Sequence, residues 1–288
     1  MTDAIRDRVR TMTREIETAR GQHRADLVLR DCQVISPYSN EIHPADIVVL
    51  GRRIVAVRPD FDGPAAREED CAGLFAAPGL VEPHLLPDQG LTWAEVGWNA
   101  VRTGTTAVVT PELGPADGIA RFDLPCRLFE ATGHGLTQRS GPSADSDENS
   151  VQSAATAHGL GMARVPGGSV RSALRMGRTV LIPDRDAEGA EVLAGIADGT
   201  LDARHLCLGT GSGRVLPEVA HALAAGISAP TALQLGSLNA ATHYGLDHLL
   251  GSIAPGRWAD FFLTEDLGAV PARVYVGGVL VAENGNRP

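Results

Sequence analysis

The feature that most constrains this chain is a change of rhythm along it: both ends run in short alternating β-branched segments, and the middle runs in strand–helix alternation. At the N-terminal side the segments are Ala25-Asp-Leu-Val-Leu-Arg30, Gln33-Val-Ile35 and Ile47 to Val57, punctuated by Ser36 to Asn40 and by Gly51. Alternation bounded by turn residues predicts an antiparallel meander. The last segment repeats the signature in Trp258-Ala-Asp-Phe-Phe-Leu263 and Ala272 to Ala282, where Gly277-Gly278 has the composition of a hairpin turn. Strand-rich ends around a different middle predict one small β-sandwich domain drawn from both termini, residues 23–76 together with 251–288.

Residues 77–250 form the second unit. Helical stretches are expected at Leu91 to Arg102, Ser169 to Met176, Ala187 to Asp198 and Leu216 to Ala225. Strands are expected at Gly104 to Thr110, Cys126 to Ala131, Gly159 to Val165, Arg178 to Pro183 and His205 to Thr210. Such alternation implies a parallel sheet with crossover helices, either a barrel or an open doubly wound sheet. Ser140 to Ser150 is polar and reads as a surface loop. Ahead of everything, residues 1–22 carry Ile5, Val9, Met12 and Ile16 at helical spacing, which predicts an amphipathic helix docked on the body.

Composition narrows the function classes. The net charge is −10 and no Lys/Arg-rich run is present. Phosphate neutralisation along a nucleic acid therefore has no basic surface to use. Four widely spread cysteines without a Cys-x-x-Cys pair fit reduced thiols rather than a disulfide or zinc framework. Thr2 to Ala19 mixes Asp, Arg and Glu with apolar residues and does not read as a signal peptide. No segment approaches the ~20 apolar residues of a membrane span. A soluble, cytoplasmic protein without a nucleic-acid or membrane partner is expected.

Several passages together resemble adenine deaminases of the amidohydrolase superfamily. They are Ala19-Arg-Gly, Ala25-Asp-Leu-Val-Leu, Glu41-Ile-His-Pro-Ala-Asp-Ile, Ala77-Pro-Gly-Leu-Val-Glu-Pro-His84, Gly104-Thr-Thr-Ala-Val-Val-Thr-Pro111, Gly159-Leu-Gly-Met, Val165-Pro-Gly167, Leu238-Asn-Ala-Ala-Thr and Leu250-Gly-Ser-Ile-Ala-Pro-Gly-Arg-Trp-Ala-Asp260. The resemblance implies a TIM-like (β/α) barrel, here incomplete or distorted, because against that pattern one or two strand–helix units are missing between Val165 and Ser169. It also implies a chemistry in which metal-bound water becomes hydroxide near neutral pH, which needs a cation held by neutral imidazoles and ionised carboxylates.

The sequence departs from that ligand pattern at site after site. His84 stands where the first His of a His-x-His pair is expected, but Leu86 occupies the second position, with Asp88 just beyond. Glu112 and Leu113 replace a His and a Glu after the second strand, and Met162 stands where a bridging carboxylate is expected. Leu208-Gly-Thr-Gly-Ser-Gly-Arg214 replaces the passage that would carry a metal-binding Asp, leaving Gly211 or Ser212.

Two functional readings follow. In one, the chain is a metal-free, non-hydrolytic descendant: a ligand-binding protein, a subunit partner or an enzyme of altered chemistry. In the other, an active amidohydrolase acts on a purine-like or other cyclic amidine or amide through a rebuilt site. That site would use His84 with Glu112, His134 and Asp184 around a single zinc, iron or manganese ion. Each residue also has a plainer reading: His84 as a hydrogen-bonded relic and Asp184-Arg185-Asp186 as a solvated turn. Gly209-Thr210-Gly211-Ser212-Gly213, between a strand and a helix, suits a ligand-binding loop that cradles an anion on backbone amides, or an ordinary loop. A sheet short of strands must cover its edges. A homodimer, or a complex with a related subunit, is therefore expected.

Overall fold

A computed structural model describes residues 3–86, 91–110, 125–132, 135–140, 170–182 and 187–288. From the N-terminus, helix α1 (Asp3–Ala19) leads into strands β1 (Ala25–Ser36), β2 (Glu41–Leu50), β3 (Arg53–Arg58), β4 (Ala65–Asp70), β5 (Phe75–Pro78) and β6 (Leu80–Glu82). Helix α2 (Trp93–Val101) precedes β7 (Thr105–Thr110), followed by β8 (Arg127–Thr132) and β9 (Gly135–Ser140). Next come α3 (Val170–Arg175), β10 (Val180–Leu181), α4 (Ala187–Ala197), β11 (Leu206–Cys207) and α5 (Leu216–Ala224). Helix α6 (Ala229–Leu233) runs through a π-helical turn, Gln234–Leu238, into α7 (Asn239–His243). Strands β12 (Phe261–Thr264), β13 (Arg273–Val276) and β14 (Val279–Glu283) close the chain.

The ends of the chain share one eight-stranded sheet in the order β14-β13-β12-β5-β1-β2-β3, with β4 paired to β1. The link between the ends is the antiparallel register Phe261 to Pro78 through Thr264 to Phe75. Two expected strands at Ala25–Arg30 and Gln33–Ile35 are in fact one. Asp31 adopts φ 58° within a bulge, and its amide is held by the Asp46 carboxylate at 3.0 Å. A bulge bends a strand without ending its pairing. Here it also divides the partners of β1, whose first half pairs with β4 and whose second half pairs with β5. The terminal unit is thus hydrogen-bonded as a single branched sheet. Gly277 and Gly278, with φ of 58° and 74°, make the β13–β14 hairpin turn as the sequence predicts.

In the middle, β6, β7 and β8 pair in parallel, and β10 pairs in parallel with β11. Strand β9 folds back antiparallel on β8, which the alternation did not foretell. The mixed α/β character is as expected; among the described residues these strands form two separate sheets. Helices α4 and α5 supply Val192, Leu193, Ile196, Leu216 and Val219 to a core shared with Leu80 and Leu208. The π-helical turn fastens it: Ser237 Oγ donates to the Gly79 carbonyl at 2.6 Å, and the Leu208 amide donates to the Leu235 carbonyl at 3.0 Å.

Gly79 is a packing requirement. A Cβ there would lie 2.1 Å from Thr106 Oγ1 and 2.5 Å from Thr106 Cγ2. Thr106 is fully buried, with nowhere to retreat. Gly79→Ala is expected to lower stability by about 1–3 kcal/mol, the usual range for overpacking. Adding Thr106→Ala should return part of the loss in thermal unfolding, whereas a neutral Gly79→Ala would refute the contact.

Helix α1 exists where expected but sits differently. Ile5, Val9, Met12 and Ile16 are each about half exposed, and Thr18 is the helix's buried residue. The helix leans on β2 and β3 through another face, with Glu15 near Arg53 and the Thr18 hydroxyl 3.3 Å from His23 Nδ1. Polar contacts to the sheet edge, rather than the apolar stripe, set its orientation.

Candidate functional site

The C-terminal ends of β6 and β11 meet, because both strands pack on the π-helical turn. Strand β6 ends in Leu80-Val81-Glu82, all fully buried, and the chain turns through Pro83 to His84. A carboxylate buried at the end of an apolar strand must have donors, and Glu82 has three. Its Oε1 accepts from the His84 amide at 3.2 Å, while its Oε2 accepts from the Thr210 amide at 2.9 Å and the Thr210 hydroxyl at 3.0 Å. Charge-assisted bonds of this kind are the strong ones.

The Gly209–Gly213 loop is shaped around that carboxylate. A Cβ on Gly209 would stand 2.8 Å from Glu82 Oε1 and 2.9 Å from the Pro83 ring. Glycine is needed there for close approach to β6. Gly211 and Gly213 adopt φ of 71° and 81°. The Ser212 amide donates to Thr210 Oγ1 at 3.1 Å, and the two hydroxyls lie 2.8 Å apart. The Gly211 carbonyl accepts from the Leu86 amide at 2.9 Å. Two of the loop's five amides, those of Thr210 and Ser212, are thereby satisfied within the protein, and the fixed charge beneath the loop is negative.

Tyr244 braces the other side, donating from its hydroxyl to the Pro83 carbonyl at 2.7 Å. Burial raises its pKa, so the hydroxyl stays protonated and remains a donor. Cys207, at the end of β11, is buried and its thiol is likewise pushed up; Cys126 is pushed up to about 12. Burial thus disfavours the thiolate in both, and Cys207 is the one that stands at this end of the sheets; Cys126 precedes β8 at the opposite end.

Among the expected site residues, the structure brings His84 together with Thr210 and Ser212 of the loop, through Glu82. Leu86 is half exposed and places an apolar side chain two residues beyond His84. Glu112, His134 and Asp184 lie outside the described residues, as do Asp88, Leu113 and Met162. Among the described residues no group of three or more His, Cys, Asp or Glu side chains is placed to hold a metal ion. Both Glu82 oxygens already accept hydrogen bonds in a buried setting. The described donor set of one imidazole and one engaged carboxylate does not fit a two-ion centre.

Sequence reasoning missed two parts of this region. One is the role of Glu82, whose signal was a lone charge in an apolar strand. The other is Arg127 with Asp260, a fully buried pair joined by two hydrogen bonds, of which Nη2 to Oδ1 measures 2.9 Å. The Gly277 amide also donates to Asp260 at 2.7 Å, and the Arg127 guanidinium lies 3.7 Å from the centre of the Trp258 ring. The pair joins β8 to the closing segment.

The model of the amidohydrolase family matches residues 146–281. Adenine deaminase 3 of Rhizobium meliloti is 30% identical over 358 residues, covering 94% of this chain and 60% of that protein. Adenine deaminase of a Ruegeria species is 28% identical over 357 residues, covering 94% and 59%. The chain therefore spans about three-fifths of the length of these curated relatives. The matched stretch is also longer than the 288 residues of the chain, so the relatives hold residues inside it that have no counterpart here. Among solved structures, the chain resembles the β-aspartyl dipeptidase of Fervidobacterium islandicum at a TM-score of 0.62 and 14% identity, over 91% of this chain and 98% of that one. D-hydantoinase from a Thermus species gives 0.60 and 14%, over 91% and 96%. At such identities the likeness is one of fold.

Proposed function

Since this chain belongs to the amidohydrolase superfamily and is adenine-deaminase-like in sequence, we propose that it is a remodelled, non-hydrolytic descendant working without the usual metal centre. The observation that carries this reading is the Glu82–Thr210 lock. In a metal-dependent hydrolase the ends of the strands must present free donors around an open coordination position. Here the β6 carboxylate is spent on three protein donors, a loop of small residues lies over it, and Leu86 follows His84 where a second imidazole is expected. The site is one that holds its own shape and suits ligand binding or a subunit role better than water activation. Association with a second copy, or with a related subunit, belongs to the same reading, and light scattering on the full chain tests it.

Metal analysis of the full purified chain, paired with ammonia release from adenine, decides the main point. Zinc, iron and manganese well below one equivalent, and no turnover above background, are expected. One equivalent of any of these ions, lost together with adenine turnover in His84→Ala, would establish instead the rebuilt site with Glu112, His134 and Asp184.

A further inference from the structure

We propose that Cys32 and Cys71 are a peroxide-sensitive dithiol that closes to a disulfide and clamps β1 to the turn between β4 and β5. Both thiols are free, and both lie in one buried cluster of the terminal sheet. The backbone sets them side by side where β1 exchanges β4 for β5 as its partner. The Cys71 amide donates to the Arg30 carbonyl and the Gln33 amide to the Leu74 carbonyl, each at 2.9 Å, so residues 71–74 flank residues 30–33 as a neighbouring strand would. Adjacent strands lie ~4.8 Å apart, and a disulfide accepts Cα separations of ~4.4–6.8 Å. The side chains meet as well: the Cys32 thiol donates to the Cys71 sulfur. Cys71 Sγ in turn lies 3.7 Å from the Glu69 carbonyl, to which it donates when protonated.

The two sulfurs are unequal. The bond to Cys71, and then burial, hold Cys32 in its protonated form. The same bond, helped by the Arg273 guanidinium, holds Cys71 below the ordinary thiol value against burial and the carboxylates of Glu69 and Asp70. Cys71 is therefore the attacking sulfur and Cys32 the resolving one. Access runs through the turn. Its closing bond joins the Leu74 amide to the Cys71 carbonyl at 2.9 Å, its central residues Ala72 and Gly73 are exposed, and the space beside Gly73, with φ 82°, is open. Opening that turn, without opening the core behind it, admits a molecule as small as hydrogen peroxide. The Cys71 thiolate attacks one peroxide oxygen, the O–O bond breaks, and the departing hydroxide takes up the thiol's proton as water. Cys32 then loses its proton and attacks the sulfenic sulfur, the S–O bond breaks, and a second water leaves. Two thiols are oxidised by one electron each, and one peroxide is reduced by two.

Treatment of the full folded chain with hydrogen peroxide at neutral pH, followed by alkylation and non-reducing peptide mass spectrometry, tests the pair. A Cys32–Cys71 cross-link reversed by dithiothreitol is expected, with the Cys71 thiol lost roughly tenfold faster than those of Cys126 and Cys207, which burial pushes up. Because the cross-link closes the loop 33–70, the midpoint of thermal unfolding should rise by roughly 5 °C over the reduced chain. Cys126→Ala should keep the cross-link and Cys71→Ala should abolish it. The cross-linked peptide is read directly in the unsubstituted chain, so the result stands however well Cys71→Ala folds. A different pairing, a sulfinic acid on Cys71 in place of the cross-link, or a cross-link that forms only in urea would overturn the proposal. An unchanged or lowered midpoint in the cross-linked chain would overturn the clamp.

Discussion

Asp260→Ala is expected to lower the stability of the chain by about 3–5 kcal/mol, the cost of stranding a buried charge. The substitution leaves the Arg127 guanidinium buried beside Trp258 without its carboxylate and strips the Gly277 amide of its acceptor. Water cannot repair the loss, because both side chains of the pair are at most 2% exposed. The pair itself need not be strongly favourable, since desolvation offsets much of its attraction. The double change Arg127→Met with Asp260→Leu, which removes both charges, should therefore recover most of the loss. Urea unfolding followed by tryptophan fluorescence compares the three proteins. A loss below about 1 kcal/mol in Asp260→Ala would mean that the pair is solvated and the joint between β8 and the closing segment is loose.

Glu82→Gln should be the second large effect, about 3 kcal/mol on the scale of charge-assisted hydrogen bonds and stranded donors. All three groups around Glu82 donate: the His84 amide, the Thr210 amide and the Thr210 hydroxyl. A glutamine must point its NH2 at the His84 amide or at Thr210, so one donor faces another whichever way it turns. Hydrogen exchange at residues 84 and 209–213 is the local readout, and protection there should fall further than in α5. Glu82→Asp, which keeps the charge on a shorter stem, should fall between the two. Unchanged protection in Glu82→Gln would show that the loop keeps its shape without the carboxylate, and the reading of the site as a self-satisfied lock would go with it.

Much of the fold was legible because its signals are local. The hairpin at Gly277-Gly278, the Gly51 turn, α2 and the buried run Thr105–Thr110 each follow from a few neighbouring residues. What stayed hidden depends on distant partners. The bulge at Asp31 exists because Asp46, across the sheet, receives its amide; a period count sees only a break in alternation. The outward face of α1 likewise cannot be read from helical spacing, which marks an apolar stripe without saying what covers it. At the site, His84 and the glycine loop were visible as residue types, but the tie between them runs through Glu82, 128 positions from Thr210. The Arg127–Asp260 pair spans 133 positions and gives no trace in either segment alone.

Joining the two ends in one sheet has a kinetic price for a growing polypeptide. Strand β5 cannot form its register with β12 until nearly all of the intervening chain has been made, and the same holds for Arg127 waiting on Asp260. Non-local pairing of this kind is slow, and an unpaired strand edge is a template for other chains in the meantime. On the ribosome, the N-terminal meander would therefore sit half-finished until β12 has been made, and the speed of translation between β5 and β12 would govern how much of the newly made protein reaches its native register rather than aggregating.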